Sequence, residues 1–171
     1  MLELNPQSIA FFIFAAFTIG GGLGVATSRN LIHGALYLIL SLFGGAGLFI
    51  LLSAPFLAAA QILVYIGAIA ILIIFAVMLT RSMTRLGEVY NRQWWLSALV
   101  GVGFFVLLVI GVILPVFGNL DPNAAPLDVG TTMDLGIALV DGNQFVLPFE
   151  VASVLLTAAL IGAIVIARDR D

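Results

Sequence analysis

The sequence predicts an all-α integral membrane protein, a bundle of five transmembrane helices with its N-terminus outside and its C-terminus in the cytoplasm. Three observations carry this. First, apolar residues make up 63% of the 171 positions and charged residues only 9%, with a mean hydropathy of +1.24, far outside the range of soluble domains. Second, five runs are long enough to cross ~30 Å of hydrocarbon at 1.5 Å per residue. Third, all the basic residues sort to one side once those runs are laid across a membrane.

The five runs are Ile9–Thr27, Leu31–Leu52, Phe56–Thr80, Trp94–Phe117 and Phe145–Ala167. The connectors Ser28-Arg29-Asn30 and Ser53-Ala54-Pro55 are so short that the first three helices must run antiparallel side by side. No basic n-region or cleavage site precedes the first run, so the chain is expected to enter the membrane whole. Arg29 lies between the first two spans, Arg81, Arg85 and Arg92 between the third and fourth, and Arg168 and Arg170 in the tail. The positive-inside rule assigns that side to the cytoplasm. Glu3 and the loop 118–144, which carries Asp121, Asp128, Asp134 and Asp141 and no basic residue, fall on the other side. Trp94 and Trp95 open the fourth span as an interfacial aromatic anchor. The loop begins Pro/Gly/Asp-rich and ends semi-apolar, TTMDLGIALV, a half expected to dock on the bundle or lie in the interface. With no repeat and no domain boundary, residues 1–171 read as one membrane domain.

Composition also excludes functions. No cysteine is present, so disulfides, thiolate metal sites and protein-ligated iron–sulfur clusters fall away. The one histidine, His33, has no Cys, Asp or Glu near it in sequence to complete a metal set, and it reads as an interfacial residue or, less simply, a proton carrier. There is no nucleophile–base pair and no phosphate loop, and GGGLG lies inside a span rather than after a strand. The chain is expected to contain no catalytic centre, no bound cofactor and no metal.

Small residues at one-turn spacing, Gly20-xxx-Gly24 and Ala158-xxx-Gly162, and the crowded Gly44, Gly45 and Gly47, mark faces where backbones approach closely, within this chain or against another subunit. Polar groups inside the apolar runs mark chemistry. Gln61 and Tyr65 stand one turn apart, and lipid offers them no hydrogen-bond partner, so their face should turn to protein or water. Gly67, just beyond, is where the helix could change its winding. Glu150 is the one carboxylate inside a long run; a mid-bilayer charge costs ~2.5–3.5 kcal/mol or more, so it is protonated, hydrated, paired, or held by the first turn of its helix beyond Pro148.

Three stretches, NLIHGALYLILSL, FLAAAQILVYIGAIAILIIFAVML and FVLPFEVASVLLTAALIGAIVIARD, together resemble subunit J (subunit 6) of the proton-pumping NADH:quinone oxidoreductase, respiratory complex I, and of its photosynthetic relatives. The resemblance covers the second, third and fifth spans. It implies a non-catalytic membrane-arm subunit that binds no cofactor and packs against the quinone-site subunit and small neighbouring subunits, in a bacterial plasma membrane or a thylakoid. It also implies a π-bulge around Tyr65-Ile66-Gly67, whose rotation opens or closes a water path linking quinone chemistry to proton translocation. Tyr65, Gly67, Gln61 and Glu150 are then the gate and proton-path residues. Where some members carry a glutamate this chain has Gln61, an amide that stores no proton, and Glu150 fits the Pro-Phe-Glu-x-Ala-Ser pattern of many bacterial members. A stand-alone small channel or transporter is the alternative, although the spans lack the paired charges, inverted repeat and broken helices of a substrate site. A passive assembly scaffold is a third reading.

Overall fold

The computed structural model describes residues 5–80, 93–118 and 130–168. Glu3, Arg81, Arg85, Arg92, Asp121, Asp128 and Arg170, on which the sidedness expectation leans, lie outside the described residues. Five helices are long and apolar enough to cross a membrane: α1 (Pro6–Thr27), α2 (Leu31–Leu51), α3 (Pro55–Leu79), α4 (Trp95–Gly118) and α6 (Val146–Ala167). A shorter helix, α5 (Thr132–Val140), precedes the last. There is no strand among the described residues. The span boundaries fall within three residues of those expected from hydropathy.

The chain forms two compact units, Met1–Pro126 and Leu127–Asp171. In the first, α1 and α2 make an antiparallel hairpin of unusually close backbones. Pro6 opens α1 at a position where a missing N–H costs nothing. At the other end Asn30 caps α2, its side-chain oxygen accepting from the Ile32 N–H at 2.9 Å. A Cβ built on Gly21 would stand 2.6 Å from the Ser41 backbone nitrogen, and one on Gly44 the same distance from that of Thr18. No side chain fits in either place. The Ser41 hydroxyl donates across to the Thr18 carbonyl at 2.9 Å, a bond worth about 0.6 kcal/mol between membrane helices. Phe14 and Phe43 meet edge to face, centroids 6.2 Å apart. Of the expected pair, Gly24 is covered by the Tyr37 ring while Gly20 faces open space and its neighbour Gly21 makes the contact; Gly162 on α6 also faces open space.

The turn into α3 is equally well determined. After α2 the Ala54 N–H donates to the Phe49 carbonyl (2.9 Å) and the Ser53 N–H to the Ile50 carbonyl (3.0 Å), the paired bonds of a Schellman cap. Ser53 occupies its left-handed position with φ 57°. Pro55 then starts α3. Three residues suffice because the cap itself reverses the chain.

In the second unit the semi-apolar half of the loop forms the helix α5. Thr131 and Asp134 form a reciprocal capping box: the Asp134 carboxylate accepts from the Thr131 N–H (2.7 Å) and hydroxyl (2.8 Å), and the Thr131 hydroxyl oxygen accepts from the Asp134 N–H. These bonds hold the Asp134 carboxyl below its ordinary pKa of 3.8. An Asx turn at Asp141, whose carboxylate accepts from the Asn143 N–H and the Gln144 amide, then leads into α6, and the Phe145 N–H donates back to the Ala138 carbonyl at 3.0 Å.

Candidate functional site

The polar residues of α3 sit in a stretch that is not α-helical. Gln61–Ala70 is wound as a π-helix, between α-helical Pro55–Ala60 and Ile71–Leu79. Ten residues of π winding exceed the single-turn bulges in which this geometry usually occurs. Gln61, Tyr65 and Gly67 all lie inside it.

The wide turns change which residues face α2. Ala58 is 4% exposed and Ala70 1%, so both lie on the packed side, twelve positions apart. In an uninterrupted α-helix, at about 100° per residue, they would point about 120° apart. The π stretch unwinds α3 by that third of a turn. An α-helix continued from Ala58 would bring Tyr65 and Ile69 back to the same side, yet they are 49% and 44% exposed, while Ile66 is half-buried in their place. The winding thus turns Tyr65 out and Ala70 in.

Gln61 stays half-buried at the start of the stretch. Its Nε2 lies 3.7 Å from where a Cβ on Gly45 would be, so the amide rests over a glycine of α2. At Gly67 a Cβ would stand 3.3 Å from the Ile62 carbonyl oxygen, a contact tight enough to make the backbone yield. That carbonyl is five residues back, the acceptor position of a π-helix. A side chain at 67 therefore presses on the very group that defines the winding. Neither Gln61 nor Tyr65 has a side-chain hydrogen bond among the described residues. The shared face expected of the pair is divided: one side chain packs on α2 and the other points away from it.

Glu150 lies in the second unit, five residues into α6 and exposed, with no ion pair or hydrogen bond to its carboxylate among the described residues. His33 is exposed in the first turn of α2. The structure thus brings three of the four expected site residues into one helical segment and leaves Glu150 on a separate unit. Sequence reasoning placed Gly45 among the close-packing glycines of α2 but did not pair it with Gln61. It also missed a second π segment, Val109–Ile113 in α4. The signal there is Pro115, whose ring crowds the carbonyl four residues back, at Gly111.

The sequence matches the family of NADH-ubiquinone/plastoquinone oxidoreductase chain 6 over residues 21–166. It is 38% identical to NAD(P)H-quinone oxidoreductase chain 6 of Synechocystis sp., over 98% of this chain and 83% of that protein. It is 34% identical to the chloroplastic NAD(P)H-quinone oxidoreductase subunit 6 of Mesostigma viride, over 96% and 86%. To subunit J of the F(420)H(2) dehydrogenase of Methanosarcina mazei it is 38% identical, over 95% and 91%. With five spans, a match over most of its length and full-length relatives at this identity, the chain belongs to the chain 6 (subunit J) family of NADH-quinone oxidoreductases.

Proposed function

We propose that this chain is a non-catalytic membrane-arm subunit of a quinone-reducing proton pump, and that α3 acts in it as a gate whose rewinding couples quinone reduction to proton translocation. The observation that carries the reading is the π stretch Gln61–Ala70. Rewinding it as α-helix turns everything beyond it by about a third of a turn, carrying Tyr65 and Ile69 toward α2 and Ala70 away. A hydroxyl-bearing ring is exchanged for a methyl group on the packed face, which is what opening or closing a file of water requires. The polar groups of Gln61 and Tyr65 find no side-chain partner among the described residues, and lipid offers none, which favours partners in neighbouring subunits or in water between them.

The names of the relatives support placing redox chemistry elsewhere. NAD(P)H and F(420)H(2) are different electron donors, yet the proteins named for them match this chain at the same 38% identity. A subunit indifferent to the donor has no part in binding it. The neighbours in this reading are the quinone-site subunit and the small subunits of the membrane arm, in a plasma or thylakoid membrane, with the arginine-bearing ends of the spans in the cytoplasm or its equivalent. Glu150 belongs to the hydrated path that the gate serves.

Gly67→Val tests the gate. The branched side chain disfavours the tight approach to the Ile62 carbonyl, and a bias of ~1 kcal/mol between windings lowers coupled turnover about fivefold, while the complex still assembles. Wild-type turnover and pumping in an assembled Gly67→Val complex would remove the gate and leave the scaffold reading. Glu150→Gln is expected to slow proton translocation without disturbing assembly; unchanged translocation would take Glu150 out of the path.

A further inference from the structure

Where α1, α2 and α3 meet on the Arg29 side, the three spans leave a groove walled by Val25, Ala35, Leu38, Ile73 and Val77, with Ser28 and Asn30 at its mouth. The polar atoms at the mouth are already engaged with one another. The Ser28 hydroxyl donates to the Asn30 carbonyl at 2.8 Å and accepts from the Asn30 N–H, and the Asn30 side chain caps α2. The interior therefore asks for hydrocarbon. Arg29, between the two mouth residues, is exposed and has no ion pair among the described residues.

The geometry points to a bound anionic phospholipid, one acyl chain lying in this groove and its phosphate on the Arg29 guanidinium. Size selects the occupant. From Asn30 to Leu38 the slot runs about 12 Å into the membrane, most of one leaflet's half of the ~30 Å hydrocarbon layer. Its empty space, open mouth included, is about 550 Å³, which over that depth leaves a cross-section of about 45 Å². That is room for a single hydrocarbon chain along its length, and a neighbouring span laid over the slot is the competing outcome that the test below separates. Charge selects the headgroup, since one exposed cation at the membrane surface favours an anionic lipid about fivefold over a net-neutral one. Ile73 and Val77 follow the π stretch in sequence, so the third wall exists in this form only with α3 wound as it is.

The test uses the assembled complex in its native membrane, with photoactivatable phosphatidylglycerol and phosphatidylcholine probes carrying a diazirine in mid-chain, and cross-linked peptides read by mass spectrometry. The phosphatidylglycerol probe is expected to label residues 31–38 and 73–77 about fivefold more than the phosphatidylcholine probe. Arg29→Gln brings the two to equality, Arg29→Lys restores the preference, and Gly34→Leu, which projects into the groove, abolishes labelling by both. Equal labelling by the two probes in the wild type would mean ordinary surrounding lipid and overturn the inference. So would the absence of any lipid label together with cross-links from residue 34 to another subunit. If Gly34→Leu fails to assemble, the Arg29 pair decides by itself.

Discussion

The two faces of α2 are built on opposite principles. Toward α1 it presents Gly44 and, against Gly21 of α1, the backbone of Ser41, so close that a single methyl group is excluded and a hydroxyl bridges the helices. Toward α3 it presents Gly45, which leaves room rather than closing it, with a glutamine amide resting loosely above at 3.7 Å from the missing Cβ. Both faces use glycine. One uses it to forbid relative motion and the other to tolerate it. If α3 rewinds as proposed, a rigid hairpin beside it lets one span rotate while the other two stay in place.

Substitutions can break each side of that contrast separately. The largest effect is expected at the rigid face: Gly44→Val places side-chain atoms into the Thr18 backbone, and overpacking of 3 kcal/mol or more should cost the subunit its place in the complex, read as loss of the band on a native gel. Gly45→Ala, by contrast, adds a methyl group only into ordinary contact with Gln61, so assembly should hold within about 0.5 kcal/mol. Equal damage from the two would erase the distinction. The turn between the faces gives a smaller effect of opposite sign. Ser53 bears the left-handed conformation at φ 57°, and Ser53→Gly should stabilise the subunit by about 1 kcal/mol, seen as a raised thermal transition of the purified complex. No gain would mean that the Ser53 side chain compensates its backbone.

The spans were legible because hydrocarbon thickness imposes a length that any apolar run must meet, and the runs around Ser28-Arg29-Asn30 and Ser53-Ala54-Pro55 have clear ends. The face each helix buries was not. In Phe56–Thr80 nearly every residue is apolar, so no periodicity distinguishes Ile66 and Ala70 from Tyr65 and Ile69. The inward residues are set by winding, and Gly67 raised a change of winding without giving its extent. The same loss of contrast placed the α1 contact at Gly20 when Gly21 makes it: with three glycines in a row, composition marks the region and only geometry the residue. The helix Thr132–Val140 went unread because its signal is local capping by Thr131 and Asp134 rather than hydrophobic length. Glu150 was found by charge alone, and no partner for its carboxylate stands among the described residues.

The central claim is that α3 must be able to change its winding, and removing one residue tests it most directly. Deleting Ala68 leaves Ala58 and Ala70 eleven positions apart, which in a plain α-helix puts them within about 20° of the same face. The deletion therefore supplies, with α winding, the packing that the full-length helix reaches only through its π turns, and it removes the reason to leave that state. The measurement is proton translocation per quinone reduced in vesicles carrying the assembled complex. The account predicts a complex that assembles with α3 packed on α2 but pumps fewer protons per quinone or turns over several-fold more slowly. Assembly with wild-type stoichiometry and rate would contradict it, and would make the π stretch a feature of packing rather than of coupling.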